Sequence, residues 1–163
     1  YIILKHPDLT KNIFFNIQCT PQIIGYNSKI LKVLKELENF RGNKNIKLIK
    51  KNLSEEEYEN IIAESKIVIC PYSNELYRFR GSYIFFEAIS ADAIVVNNKN
   101  MFIDYLFKNN PTSCENINEY VNVIYKIIKD DSFYEAQKIK QKRFFRIYKK
   151  INFENVIDKI LKI

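Results

Sequence analysis

The chain has 163 residues, 47% of them hydrophobic and 28% charged, with a formal net charge of +7. This composition excludes an intrinsically disordered chain, and the length suits a single domain over 1–163 with a real hydrophobic core. No run approaches the roughly 18 apolar residues of a membrane span, and the first residues lack the zones of a signal peptide.

The net charge and the cysteines indicate which ligands and which cellular compartment to expect for the chain. A basic surface suits phosphate substrates, acidic lipid headgroups or nucleic acid, or is simply a solvated lysine-rich surface. Cys19, Cys70 and Cys114 are odd in number and form no C-x-x-C pair, so we expect reduced, buried thiols in a cytoplasmic protein. Because the chain opens at Tyr1 rather than Met, we expect it to be part of a longer protein.

Strand-like and helix-like segments alternate along the chain. Short apolar runs predict strands at 12–19, 45–49, 66–70, 93–96 and 112–114. Helical spacing of apolar residues predicts helices at 28–40, after Ser54, after Ser82, at 101–107, 117–129 and 133–149, and a separate last helix carrying residues 153–161. Gly42 is placed to close the first helix, since glycine tolerates the left-handed conformation of a C-cap.

Three helix starts carry a capping-box spacing, in which a small polar residue precedes a glutamate by three positions. Ser54 with Glu57, Asn116 with Glu119, and Ser132 with Glu135 fit this pattern. Each pair can satisfy backbone N–H groups that the first helical turn leaves without partners.

The alternation predicts an α/β fold with a doubly wound, Rossmann-like parallel sheet flanked by helices, and with helices at the C-terminus. We expect the strand ending at Cys70 to lie beside the strand at 93–96. Ligands of such folds bind at the carboxyl ends of the strands, so the segments that follow these strands are the candidate site.

The segment from Ile67 to Val96, IVICPYSNELYRFRGSYIFFEAISADAIVV, has the most informative pattern. Arg78 and Arg80 precede Gly81 and Ser82 at the start of a predicted helix. Guanidinium groups and free helix N–H groups bind phosphate oxygens, and Gly81 permits close approach to the backbone. The alternative is an exposed turn, although its charges would then oppose the helix dipole.

Glu87 is a lone carboxylate within an otherwise apolar helix. A carboxylate is costly to bury without partners, so Glu87 is either an exposed surface residue or an acceptor for sugar hydroxyls at the wall of a pocket.

The run PYSNELYRFRGSYIFFEAISADAIVV resembles the donor-site signature of the GT-B glycosyltransferases, of the group 1 type. The upstream run KLIKKNLSEEEYENIIAESKIVICPY resembles the segment that leads to that site. The resemblance covers most of the chain and implies the C-terminal, donor-binding half of such an enzyme. It implies binding of a nucleoside diphosphate sugar and transfer of the sugar to a glycan or lipid-linked acceptor, as in polysaccharide biosynthesis.

The resemblance also implies roles for individual residues. Glu87 matches the ribose-binding glutamate and, with Arg78 and Arg80, forms the expected catalytic set. The expected substrate-binding residues are Leu53, Pro71, Tyr72, Gly81, Ser82, Tyr83 and Glu87. Many retaining members have two glutamates separated by seven residues, whereas Phe79 occupies the first position here, which leaves the stereochemical outcome open.

The resemblance and the residues together define the expected partners. We expect no metal and no cofactor, with the nucleotide sugar as substrate and an N-terminal acceptor domain as partner. The fragment alone is expected to be inactive. The base, sugar and acceptor stay open. The Tyr- and Lys-rich C-terminal part is compatible with membrane-bound lipid or polysaccharide acceptors, and with a cytoplasmic protein that associates peripherally with the inner face of the membrane.

Two other functions remain as alternatives. One is a non-catalytic nucleotide-binding or interaction module of the same fold. The other is a basic RNA-binding domain, because cations and aromatic residues interleave near the C-terminus; these are Lys138, Lys140, Lys142, Arg143, Phe144, Phe145, Arg146, Tyr148, Lys149 and Lys150. A core stripe of one helix accounts better for the aromatic residues, so we do not expect nucleic acid as the partner.

Overall fold

Short parallel strands with helices between them form the framework of the protein. The computed structural model describes residues 13–18, 42–77, 82–107 and 110–161, together with positions 32, 35, 36, 38 and 39. Within these residues, strands β1 (Phe15–Gln18) and β2 (Ile46–Ile49) form one sheet. Strands β3 (Ile67–Cys70), β4 (Ile94–Asn98) and β5 (Ser113–Cys114) form a second sheet in the order β3-β4-β5.

The first compact unit, residues 1–61, contains β1 and β2. These strands pair in parallel with Phe15 opposite Ile46, and alternate residues of β1 are half-buried, as expected for a strand covered on one face. Positions 32, 35, 36 and 38 are helical, in agreement with the predicted helix 28–40, most of which lies outside the described residues.

Helix α1 (Glu55–Ala63) crosses the boundary between the two units. Its predicted capping box is confirmed, because Ser54 Oγ accepts a hydrogen bond from the Glu57 N–H at 3.2 Å and the Glu57 carboxylate accepts one from the Ser54 N–H at 3.0 Å. Lys51 lies beside Glu57 and, as the largest of several causes, lowers the pKa of that carboxyl group.

The second compact unit, residues 62–163, is built around β4. Strand β3 pairs with β4 in parallel, with Val68 opposite Val95, which confirms that the strand ending at Cys70 lies beside the 93–96 strand. The crossover between them contains the short helix α2 (Asn74–Tyr77), which was not predicted, and helix α3 (Tyr83–Ser90).

The core of this unit surrounds β4 on both faces. Ile94, Val95 and Val96 are completely buried, as a continuous apolar run in a covered parallel strand should be. From α3, the buried residues are Phe85, Ala88 and Ile89.

Two further helices and the third strand complete the second sheet and its surroundings. Helix α4 (Phe102–Leu106) follows β4, and β5 then pairs in parallel with the end of β4, with Asn97 opposite Ser113. Helix α5 (Ile117–Lys129) has the predicted bounds. Asn116 caps it by accepting hydrogen bonds from the N–H groups of Asn118 and Glu119.

The C-terminal helix α6 (Asp131–Leu161) is a single helix of 31 residues. The prediction of a separate last helix was wrong, because the sequence contains no glycine or proline between Lys149 and Phe153 that would end the first one. The predicted Ser132–Glu135 capping box was also wrong, because Asp130 caps the start of α6 and Ser132 lies inside the helix. Asp130 Oδ1 accepts hydrogen bonds from the Phe133 N–H at 2.9 Å and from the Ser132 hydroxyl at 2.6 Å.

The end of α3 shows where the chain uses left-handed backbone. Asp92 has φ 68°, and the N–H groups of Ala93 and Asp92 bond to the carbonyl groups of Ala88 and Ile89, which is a Schellman motif. Aspartate tolerates this conformation better than most residues with a Cβ atom. Gly42, by contrast, does not have positive φ, so its predicted left-handed C-cap was wrong.

Candidate functional site

The carboxyl ends of β3 and β4 lie side by side, and the segment that follows β3 begins the candidate site. Pro71 is exposed and Tyr72 is half-buried directly after this strand. Arg78, Arg80 and Gly81 lie outside the described residues. The parallel pairing nevertheless places the start of their segment at the sheet edge where ligands of α/β folds bind.

Tyr72 packs against two aromatic rings and has two polar side chains near its phenol group. Its ring stacks on Tyr77 with centroids 4.4 Å apart and lies 5.8 Å from the ring of Phe85. The side chains of Ser82 and Cys70 lie close enough to the Tyr72 phenol to affect its pKa, Ser82 lowering it and Cys70 raising it. Burial, aided by the neighbouring Cys70, raises the pKa of Tyr72 to about 12, so this group is a neutral hydrogen-bonding phenol at physiological pH.

The start of α3 keeps its first N–H groups free of a side-chain cap. Ser82 has the extended backbone of an N-cap, with φ −106° and ψ 132°, yet its side chain forms no capping hydrogen bond. Its side chain lies near the phenol of Tyr72 instead. An uncapped helix N-terminus attracts an anion through its N–H groups and its dipole.

Tyr83 and Glu87 occupy the exposed side of α3. They are four positions apart, and residues at this spacing share one face of a helix. Tyr83 is 85% exposed. Glu87 is also exposed, whereas the adjacent Ala88 is fully buried, so its carboxylate is accessible to a ligand near the start of the helix.

Asn98, at the end of β4, connects the candidate site to helix α5. Asn98 donates a hydrogen bond to the Tyr72 carbonyl at 2.6 Å and accepts one from the Tyr120 hydroxyl at 2.7 Å. It therefore fixes the backbone that follows β3 to helix α5. Tyr120 is buried and its pKa is raised, first because of that burial.

Asn97 is fully buried and belongs to a second polar cluster. Its amide donates to Asp104 Oδ1 at 3.0 Å, and that same oxygen accepts hydrogen bonds from Asn110 at 3.3 Å and from the Ser113 hydroxyl. Asp104 Oδ2 is buried and has no hydrogen-bond partner among the described residues. Such a cluster holds α4 and the segment before β5 in place, since each donor would be costly to leave unsatisfied.

The two described cysteines are buried at the ends of β3 and β5, as predicted. Burial raises the pKa of Cys70 and of Cys114 to about 12. A thiol with such a pKa is neutral at physiological pH and is a poor nucleophile. Cys19 lies outside the described residues.

The remaining sequence expectations fall in different parts of the structure. Leu53 is half-buried and belongs to the first compact unit, whereas Pro71, Tyr72, Ser82, Tyr83 and Glu87 belong to the second. Within the described ranges, no three His, Cys, Asp or Glu side chains converge as a metal site.

Sequence reasoning missed Tyr77 and the asparagines at the end of β4. Asn97 and Asn98 directly follow the buried Val95–Val96 pair, and polar residues at that position mark the carboxyl end of a parallel strand. This signal could have placed them at the site. Asp104 gives no comparable signal, because its partners Asn97 and Ser113 come from two different strands.

Protein-family models give no match to the chain, and neither do the curated proteins. Across the described residues, none of the helices combines the length and the apolar character that a bilayer crossing requires.

Proposed function

We propose that this chain is the nucleotide-sugar-binding domain of a GT-B glycosyltransferase, with a doubly wound, Rossmann-like arrangement of its strands. The observation that carries the proposal is the β3–α3–β4 crossover. It presents an uncapped helix N-terminus and an exposed glutamate one turn further along, next to the carboxyl end of a buried parallel strand. This arrangement supports binding of a diphosphate at the helix start and of a ribose at Glu87.

The proposal assigns roles to the start of α3, to Glu87 and to the tyrosines beside them. The N–H groups at the start of α3 bind the diphosphate, and Glu87 accepts hydrogen bonds from ribose hydroxyl groups. The stacked rings of Tyr72 and Tyr77 border the position of the base, and Asn98 fixes the backbone of Tyr72. The exposed Tyr83 lies beside the phosphates at the first position of the helix.

The chemistry assigned to this half of the enzyme is stabilisation of the leaving nucleoside diphosphate. The sequence places Arg78 and Arg80 just before Ser82, and guanidinium groups neutralise charge that develops on a departing diphosphate. Acceptor binding and the remaining catalytic groups belong to an N-terminal acceptor domain. The chain alone is therefore expected to bind the donor but not to transfer the sugar.

The first test is isothermal titration calorimetry of the chain with UDP, GDP and ADP and with their sugars. We expect one base to be preferred and the diphosphate to bind more tightly than the nucleoside. Binding is expected to survive a chelator, because arginine and helix N–H groups neutralise the phosphate charge. Failure of all three diphosphates to bind would favour a non-catalytic interaction module.

The second test assigns Glu87. The variant Glu87→Gln should weaken binding of the ribonucleotide by about 1–3 kcal/mol, the cost of losing a charged hydrogen-bond acceptor. The 2′,3′-dideoxy analogue should be nearly insensitive to the same change. Equal losses for both ligands would show that Glu87 does not bind the ribose. Glu59, an exposed glutamate in the middle of α1, provides a matched control as Glu59→Gln.

Arg80→Ala is the complementary variant. It should weaken binding of diphosphates far more than binding of nucleosides, because the phosphate is the expected target of its guanidinium group. Arg78→Ala is tested beside it, together with the double variant, since the two arginines can share the role. An equal effect on nucleosides and diphosphates would contradict the phosphate assignment.

A further inference from the structure

Helix α6 carries an exposed face that the nucleotide site does not use. We call it the outer face, and it consists of Ile139, Arg143, Arg146, Ile147 and Lys150. All five are exposed and lie within one arc of the helix, since their spacing of three, four or seven positions places them on one side. Ile139 is 64% exposed and Ile147 is 44% exposed, so two branched apolar side chains stand among three cations.

The opposite side of α6 packs against the protein. Gln137 and Gln141 are buried there, and the Phe144 ring lies 5.4 Å from the ring of Phe107. Phe145 and Tyr148 flank the ring of Phe86 of α3, at 5.4 and 5.0 Å. The rings of Phe144, Phe145 and Tyr148 therefore contribute to internal packing, and the five residues of the outer face are aliphatic or cationic.

The charge of this part of α6 has one sign. Residues 136–150 contain seven lysines and arginines and no aspartate or glutamate. Lys138 pairs with Glu135 at 3.0 Å, and Lys142 pairs with Asp92. Arg143 and Arg146, on the outer face, form no ion pair with another described side chain.

A shallow groove runs along the same region of the helix. Its volume is about 440 Å³, and it is lined by Ala136, Ile139, Lys140, Arg143, Phe144 and Ile147. Apolar groups therefore alternate with cations along its length. This combination can accept the apolar part of an amphiphile while binding an adjacent anionic group.

We propose that the outer face of α6 docks the protein onto an anionic lipid surface. A helix with a basic face and exposed aliphatic side chains lies in the interface of such a surface. The aliphatic groups enter the boundary of the acyl chains, and the cations bind lipid phosphates. The proposal is independent of nucleotide binding, because it uses none of the residues of the candidate functional site.

The charge and composition of the outer face favour an anionic lipid surface over single-stranded RNA and over a second copy of the chain. Single-stranded RNA would use exposed aromatic rings for stacking, whereas Phe144, Phe145 and Tyr148 pack internally. A ligand that is bound only through its phosphates would offer the exposed isoleucines no apolar surface to contact. A second copy of the chain would bring two faces of the same positive charge together, which repulsion disfavours.

The test is flotation of the full 163-residue chain with vesicles. Vesicles of phosphatidylglycerol mixed with phosphatidylcholine are compared with vesicles of phosphatidylcholine alone, at low and at high salt. We expect binding to the anionic vesicles only and a marked loss of binding in high salt, since screening weakens surface electrostatics. Absence of binding to anionic vesicles at low salt would overturn the proposal.

Charge reversal on the outer face is tested against a matched control. Arg143→Glu with Arg146→Glu should reduce partitioning onto anionic vesicles at least about 20-fold, because each cation near such a surface contributes about fivefold or more. The control is Lys44→Glu with Lys47→Glu, two exposed lysines of the first compact unit. Because both double variants lower the net charge equally, an equal loss in the control would overturn the proposal.

The apolar contribution is tested separately. Ile139→Ser should reduce partitioning about 10-fold, as expected for losing a buried aliphatic side chain. Ile117→Ser, at a position that is 52% exposed on α5, should have no effect. If single-stranded RNA binds through Arg143 and Arg146 while Ile139→Ser changes nothing, the face binds nucleic acid and the lipid proposal is overturned. Nucleotide titrations of these variants should match the wild type, which separates this test from that of the proposed function.

Discussion

A single buried glutamine joins the C-terminal helix to the central strand. Gln141 is 2% exposed, and its amide accepts a hydrogen bond from the Val95 N–H at 3.0 Å and donates one to the Val95 carbonyl at 3.1 Å. The same amide nitrogen donates to the Thr112 hydroxyl at 3.1 Å. These groups of Val95 point toward the β5 side of β4, but β5 begins only opposite Asn97. The side-chain amide therefore takes the place of a peptide group.

Replacing this glutamine should be costly. Gln141→Met keeps the volume and leaves the Val95 N–H and carbonyl groups without partners, so we expect it to reduce the free energy of unfolding by about 2–4 kcal/mol. The midpoint of urea unfolding measures the change.

Gln137 provides the matched control for that variant. It lies one turn earlier on the same helix and is 8% exposed, but its Oε1 has no hydrogen-bond partner in the part of the chain that the structure describes. Gln137→Met should therefore change the free energy of unfolding by less than about 1 kcal/mol. Equal losses in the two variants would show that volume, and not the Val95 hydrogen bonds, decides the outcome.

The buried thiol of Cys70 makes stability sensitive to alkaline pH. Its folded pKa is about 12, above the value of about 8.5 for an unfolded thiol. Below the unfolded pKa both states are protonated and the full stability is present. As the pH rises from that value toward 12, only the unfolded state loses its proton, so stability falls by up to about 1.4 kcal/mol per pH unit.

Urea titrations between neutral and alkaline pH measure this dependence. Cys70→Ala should show a shallower loss of stability in the alkaline range than the wild type, whatever its stability at neutral pH. Parallel curves for the two proteins would contradict the assignment. In the folded wild type, Cys70 and Cys114 should resist iodoacetamide at neutral pH, because the neutral thiol is unreactive and both are buried.

At the scale of the helix, Asp130 caps the start of α6 in place of the predicted Ser132. Ser132 fits the capping-box spacing, but Asp130 accepts the hydrogen bond from the Phe133 N–H. Asp130→Ala should therefore lower the melting temperature more than Ser132→Ala does. The hydrogen bond from the Ser132 hydroxyl also lowers the pKa of Asp130, so the stabilisation by this cap is present above the unfolded pKa and is lost in acid. A larger effect from Ser132→Ala would contradict this assignment.

The elements themselves were largely predictable from the sequence, because local patterns define them. The apolar runs before Cys70 and Val96 predicted two adjacent parallel strands, and α5 has the predicted bounds. The continuity of α6 was missed because two helices were predicted for this part of the chain, although no glycine or proline between Lys149 and Phe153 ends the first one.

The parts of the site that were missed depend on partners far apart in the sequence. Gln141 and Val95 are 46 positions apart, and Asn98 and Tyr72 are 26 apart. No local pattern reveals such pairs, because the identity of a glutamine or an asparagine does not show whether its amide bonds to a buried group or to water. The polar residues at the end of β4 could be placed at the site, but their hydrogen bonds could not.

At the scale of the whole molecule, protection against hydrogen exchange should differ between the two sheets. The core of β4 is completely buried and has strands or a glutamine side chain on both sides, so its amides should exchange most slowly. Within the described residues, β1 and β2 form a two-stranded sheet with alternating exposure, and such sheets are marginally stable. Hydrogen–deuterium exchange with mass spectrometry measures the difference. Equal protection in both sheets would contradict it.

The glutamine that completes β4 also protects the protein from other copies of itself. A buried apolar strand with one unpaired N–H and one unpaired carbonyl would be a template on which a strand of a neighbouring chain could form. The Ile94–Val96 run consists of uncharged, β-branched residues, which favour strand pairing. By occupying the hydrogen-bonding positions of Val95, Gln141 blocks that pairing, and C-terminal truncations that remove it should yield insoluble protein when the chain is expressed.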